Sequence, residues 1–127
     1  MLIRSAAVAC GGALGAVSRY ILSGLVAHLS NESPFPLGTL VVNTSGAFVL
    51  GIVMGSAVSG RFVVSPTVRT FLTIGVLGGY TTFSTFSFET LEALRVGDIR
   101  VALVNIGATV LLGLAACWAG LALGENL

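Results

Sequence analysis

The chain has 127 residues, of which 55 % are hydrophobic; it carries six arginines, no lysine, five carboxylates and one histidine, for a formal net charge of +1. Charged residues make up 9 % of it, against roughly 25 % in a soluble domain, too few to cover the large relative surface of so small a globule. That excludes an ordinary soluble enzyme, and without a basic patch there is nothing to meet nucleic-acid phosphates, so a small integral membrane protein remains.

The apolar residues gather in four runs, each near the roughly 20 residues that a membrane crossing takes. The first covers residues 2–27 and is interrupted only by Arg4 and Arg19. Its start has the charged-then-apolar pattern of a secretion signal, but the apolar character resumes beyond Arg19 and the rest of the chain is equally membrane-like. A polar stretch from His28 to Pro34 follows, and Pro34-Phe35-Pro36 makes a stiff lead into the second run, residues 37–59, which holds no charge. Gly60, Arg61 and Ser65-Pro66 form the next connection. The third run, residues 67–97, is charge-free from Thr70 to Phe88 and then takes up Glu89, Glu92 and Arg95. A turn at Gly97-Asp98 leads to the fourth, residues 99–123, charge-free after Arg100. The pattern predicts an all-α integral membrane protein, a single four-helix domain over residues 1–127. Cys10 and Cys117 both lie in apolar runs, where a free cysteine acts as a small hydrophobe; their spacing suits neither a disulfide framework nor a metal site.

Four crossings put both ends of the chain on one side. Arg4, Arg61 and Arg69 belong to that face, Arg95 and Arg100 to the other, with Arg19 deep toward it: three against three. The positive-inside rule then prefers no orientation. Either another factor decides the topology, or both orientations insert and assemble as an antiparallel pair. So few spans cannot enclose a wide pathway alone, which points to an oligomer, and a closed two-fold dimer is the simplest.

Small residues recur at intervals of four: Gly11 with Gly15, Gly12 with Ala16, Ala47 with Gly51 and Gly55, Gly75 with Gly79, and Ala116 with Gly120 and Gly124. This spacing lets membrane helices approach closely. It identifies packing faces and says nothing of what passes between them.

The third run carries an unusual mid-span stretch, Gly78-Gly79-Tyr80-Thr81-Thr82-Phe83-Ser84-Thr85-Phe86. Paired glycines allow non-helical backbone, and the hydroxyls that follow can replace lost backbone partners, so a discontinuity over Gly78 to Thr81 is one reading. Unwound carbonyls at that depth suit a cation and free amides an anion. The other reading is an unbroken helix with its hydroxyls bonded back to the preceding turn. Phe83 and Phe86 share a face beyond this point. They are either packing or lipid contacts, or present positive ring edges to a passing anion. Asn43, with Thr39 one turn earlier, sits mid-span in the second run, where a side-chain amide must find a partner; it serves an interhelical hydrogen bond or donates to a small anion. Asn105 and Thr109 form a similar pair in the fourth run, nearer the boundary. Arg19 either snorkels to the interface or marks an electropositive vestibule. Glu89 pairs with Arg19 or with a hydroxyl of its own helix, or serves proton coupling.

Three motifs, Gly12-x-x-Gly15-Ala16-x-x-Arg19-Tyr20, Gly38-Thr39-Leu40-x-Val42-Asn43-x-x-Gly46 and Gly78-Gly79-x-Thr81-Thr82-Phe83-Ser84-Thr85-Phe86, resemble those of the CrcB/Fluc fluoride channels, and the resemblance extends over the whole chain and its four-span layout. It implies a dual-topology, antiparallel homodimer in the inner (plasma) membrane with two fluoride pathways along the subunit interface. Phe83 and Phe86 match the phenylalanines lining those pathways, Asn43 the pore asparagine and Arg19 the vestibule arginine. Thr39, Ser84 and Thr85 fall near the polar path, and Thr109 is the main candidate for the fourth helix's hydroxyl track. Gly78 and Thr81 match the break residues whose backbone carbonyls, two from each subunit, hold a structural sodium ion (Na+) at the centre of the dimer.

The resemblance implies a passive channel that lets fluoride leave down its electrochemical gradient, neither an enzyme nor a partner of nucleic acid. The chain has no phosphate-binding GxxxxGK[ST] loop, in keeping with an uncoupled path. Two alternatives compete: a small proton-coupled multidrug exporter, with Glu89 as its membrane carboxylate, and a non-transporting assembly subunit, which would explain the small-residue packing but leave Asn43 and the polar stretch idle.

Overall fold

The computed structural model describes residues 1–60 and 64–127, so Arg61 and its place in the arginine balance lie outside the described residues. All regular structure among them is helical. Helix α1 runs Leu2–Leu29 and α2 Leu37–Val58. The third run is assembled from pieces: α3 over Pro66–Thr70, a π-helical segment over Phe71–Leu77, α4 over Gly78–Tyr80 and α5 over Phe83–Arg95. Helix α6 covers Ile99–Asn126. The four expected segments are therefore present. Among the described residues three helices, α1, α2 and α6, are each long and apolar enough to cross a membrane unaided. The third run is not, because it is interrupted.

Local chemistry sets these boundaries. Ser65 accepts a hydrogen bond from the Val68 amide at 3.3 Å with Pro66 at the first helical position, a start signal for α3. Thr82 plays the same part for α5, accepting from the Thr85 amide at 3.2 Å, and Asp98 for α6, accepting from Val101 at 3.1 Å. Gly97, with φ of +83°, makes the tight turn between α5 and α6 that a side chain would strain.

The discontinuity falls at Thr81 and Thr82, whose φ/ψ pairs of −81/158° and −149/117° are extended. The expectation that the paired glycines would supply the break needs correcting. Gly78 is helical, at −66/−36°, and Gly79 lies within α4. Gly79 is there for closeness: a Cβ on it would come within 2.5 Å of the Gly12 carbonyl oxygen of α1.

The same logic runs through the packing. Gly11 and Gly15 of α1 lie against the backbone of the broken span, Gly11 facing Phe71 and Val76, Gly15 facing Val76 and Tyr80. Gly51 and Gly55 of α2 face the backbone at Cys117 and Leu121 of α6, while Gly120 and Gly124 face Phe48 and Ile52 in return. In both cases the partners advance along the chain together, so first span with third and second with fourth are parallel pairs. Their backbones meet with no side chain between them, which is what the four-residue spacing predicts. The two pairs are joined by α2 running antiparallel to the broken span, and the polar residues sit along that seam.

Candidate functional site

Asn43 of α2 reaches the break and pairs with the backbone of Thr82 through both ends of its amide. Its Nδ2 donates to the Thr82 carbonyl at 3.0 Å, and its Oδ1 accepts from the Thr82 amide at 2.8 Å. The side chain thus replaces a peptide group for a residue that has left the helix. Only one of the two Nδ2 hydrogens is spent. Both readings of Asn43 made from sequence remain compatible with this: it is an interhelical bond, with one donor left over.

Thr82, buried, is the hub of the seam. Its hydroxyl caps α5, donates to Thr85 Oγ1 at 3.0 Å and lies 3.3 Å from Ser84 Oγ. Because the Thr85 hydroxyl receives in that contact, its own O–H is left to give. Thr81 keeps one foot in the helix, with its amide and hydroxyl both donating to the Leu77 carbonyl, at 3.0 and 2.9 Å. Tyr80 is tied to α2 by a 2.8 Å hydrogen bond between its hydroxyl and that of Ser45. Its ring and the Thr81 methyl lie over Gly46, where a Cβ would collide with that methyl.

The amides that would normally bond the carbonyls of Gly78 and Thr81 are those four residues on. Here the Thr82 amide goes to Asn43 and the Thr85 amide to the Thr82 hydroxyl. Both carbonyls therefore lose their helical partner. Oxygens of this kind, presented by unwound membrane helix, are suitable ligands for sodium. The Thr81 carbonyl receives one long contact, 3.4 Å from Arg19 Nη1, which leaves its second lone pair.

Arg19 is half-buried and lines a cavity of about 250 Å³ with Thr39, Thr82 and Thr85. A neighbouring cavity of about 320 Å³ shares Thr39 and Thr85 and includes Glu89. Thr39 donates to Glu89 Oε1 at 2.8 Å, so its hydrogen is spent there, and Glu89 Oε2 is buried without a hydrogen-bond partner. Glu89 pairs with neither Arg19 nor a hydroxyl of its own helix, the two partners considered from sequence; its partner is across the seam on α2.

On the other side of the break lies a larger, mostly apolar cavity of about 530 Å³, lined among others by Asn43, Gly78, Thr81, Phe83, Phe86 and Thr109. Six of the ten residues singled out from sequence thus meet around one space. Phe83 and Phe86 stack at 5.7 Å between ring centroids, tilted by 51°. Phe83 is 79 % exposed in the single chain, so most of its ring surface faces away from this subunit. Ser84 and Thr85 are exposed as well.

The residue underrated from sequence is Asn105. It is 1 % exposed, one of the two largest fully buried side chains. Its Nδ2 donates to Thr90 Oγ1 at 3.0 Å, Thr90 donates to the Phe86 carbonyl at 2.7 Å, and the Thr109 hydroxyl lies 3.4 Å from Asn105 Oδ1. Its signal in the sequence is the one-turn spacing of Asn105 and Thr109, weakened by its place near the start of a span.

Comparison with known proteins bears on this geometry. A family model described as CrcB-like protein, Camphor Resistance (CrcB), matches residues 6–121. The protein named fluoride-specific ion channel FluC from Hydrogenovibrio crunogenus is 47 % identical over 120 residues, covering 94 % of this chain and 89 % of that one. The protein of the same name from Opitutus terrae is 50 % identical over 114 residues, covering 89 % and 86 %. That from Methanopyrus kandleri is 47 % identical over 117 residues, covering 92 % and 86 %.

Proposed function

This chain belongs to the CrcB family, and we propose that it is a passive fluoride-selective channel that exports fluoride down its electrochemical gradient. It is a membrane protein of several apolar helices and not an enzyme. The observation that carries the reading is the convergence, around one membrane-depth cavity, of an amide with a spare N–H, two aromatic rings in tilted contact and a hydroxyl. Among the described residues, no charged side chain lines that cavity.

Fluoride is small and strongly hydrated, and stripping its water is costly unless donors replace it. Arg19, half-buried in its own cavity, attracts the anion. The free Thr85 hydroxyl and Ser84 supply the first donors, and the second N–H of Asn43 follows, a charge-assisted bond worth about 1.5–3 kcal/mol. Beyond them the positive ring edges of Phe83 and Phe86 hold the ion without a formal charge, loosely enough for it to leave. Thr39 contributes by holding Glu89, and Thr109 by lining the far wall. Larger anions fail on width and on donor spacing.

The working unit is an antiparallel homodimer with two pathways. Phe83, open in the single chain, meets its other wall on a second copy, and the even split of arginines lets both orientations insert. The Gly78 and Thr81 carbonyls would hold a structural sodium ion, which would supply a fixed positive charge and would not be transported. The protein resides in the inner (plasma) membrane as a single four-helix domain.

The test is ion release from loaded liposomes with a potassium shunt. Purified protein releases fluoride and retains chloride. Equal release of both ions, or of neither, removes the proposal.

A further inference from the structure

Helix α5 carries the two phenylalanines, yet its own anchorage is slight. Its start is pinned by Thr82 on Asn43. Within the helix only Thr90 and Ala93 are buried. On the facing side, α6 buries Asn105 and Ala102. The polar contact in that patch is the Asn105–Thr90 bond, and its geometry is directional throughout. The Thr90 hydroxyl gives its single hydrogen to the Phe86 carbonyl and takes one from Asn105. Both members are buried, so neither can exchange its partner for water, and a broken bond leaves an unpaired polar group. The chain of bonds ends on the backbone of Phe86.

We infer that Asn105 is a positioning residue for Phe86, fixing the rotation and axial register of α5 through Thr90. The inference rests on the channel reading above, because the position of Phe86 matters to flux only if its ring lines the path. With three fixed points, Asn43 at the cap and Thr39 on Glu89 from α2, and Asn105 on Thr90 from α6, α5 is held as a rigid rod. Release the α6 point, and α5 rolls about its two contacts with α2, shifting the ring edges of Phe86 relative to the cavity that Thr109 and Asn43 line.

The experiment compares fluoride flux in liposomes for the unaltered protein, Asn105→Leu, Thr90→Val, the double variant and Thr90→Ser, with the oligomeric state of each followed by gel filtration. Leu and Val keep the volume and remove the bond; Ser keeps the hydroxyl. Asn105→Leu and Thr90→Val each lower flux about tenfold while the assembly is retained, and Thr90→Ser stays within about twofold. The double variant conducts no worse than the poorer single variant, because both break one interaction. Additive losses, or full flux in Asn105→Leu, overturn the inference. So does failure of both bond-breaking variants to assemble, which makes the contact purely structural. Absence of fluoride flux in the unaltered protein overturns the channel reading instead.

Discussion

Asn43 and Thr82 pair as two peptide groups would, with hydrogen bonds of 3.0 and 2.8 Å running in opposite directions between side-chain amide and backbone. One side chain thereby satisfies both backbone groups of a residue that has left its helix inside the membrane, where an unsatisfied group costs several kcal/mol. Asn43→Asp keeps the acceptor for the Thr82 amide but sets a carboxylate oxygen against the Thr82 carbonyl and a negative charge beside the path. It lowers fluoride flux by at least about tenfold, equal to roughly 1.4 kcal/mol on the barrier. Asn43→Leu removes both bonds and costs about 1–2 kcal/mol of stability, measurable as a lower midpoint in thermal unfolding in detergent.

Replacing either ring separates transport from assembly. Phe83 is mostly exposed in the single chain, so Phe83→Ile leaves the subunit fold intact. Phe83→Ile and Phe86→Ile each cut fluoride efflux about tenfold, with the elution volume unchanged. Full efflux in both variants removes the ring edges from the mechanism.

Two single-methyl substitutions in small-residue positions are expected to differ sharply. A Cβ at Gly79 meets the Gly12 backbone, with the Gly12 Cα at 2.9 Å, whereas one at Gly24 meets nothing within 4 Å. Backbone cannot step aside as a flexible side chain does, so Gly79→Ala costs about 1–3 kcal/mol and Gly24→Ala leaves the unfolding midpoint where it is.

Exchange of sodium for a bulky organic cation tests the carbonyl site. With Gly78 and Thr81 oxygens stripped of their helical amides, the proposed dimer is expected to lose stability when the proposed sodium ion is withheld. The oligomer dissociates at lower detergent concentration in the absence of sodium. No change in dissociation, and none in flux, sets the sodium assignment aside.

Glu89→Gln separates the channel from a proton-coupled exporter. Glutamine keeps an oxygen to accept from Thr39, whose bond to Glu89 is 2.8 Å, so the variant folds. Proton-dependent efflux of organic cations that this substitution abolishes establishes the exporter; the channel reading expects no such efflux from either protein.

Much of this architecture was legible because lipid permits so little. Four apolar runs had to be helices, and small residues four apart had to mark where backbones touch; Gly51 and Gly120 do so. Hydropathy could not locate the break, since glycine serves close approach and unwinding equally well. Gly79 turned out to serve the former, and the threonines beyond it, supported by Asn43, the latter. Nor could it weigh Asn105, visible only as a one-turn pair with Thr109, whose burial depends on α5 packing against the start of α6. The partner of Glu89 was missed for the same reason: Thr39 lies fifty positions away, and only the antiparallel seam brings the two together.

The interleaved pairing, first span with third and second with fourth, has a consequence for biogenesis. As the chain leaves the ribosome, α1 and α2 enter the bilayer before either has its parallel partner. The glycine track of α2, Gly51 and Gly55, then lacks its partner until α6, made after it, arrives to cover it. A nascent chain stalled in the turn at Gly97-Asp98 holds every residue of the phenylalanine pair and its cap, yet presents an open small-residue face to whatever helix passes. Insertion of α6 is therefore the step that closes the subunit, and chains lacking it are the ones membrane quality control will meet with that face bare.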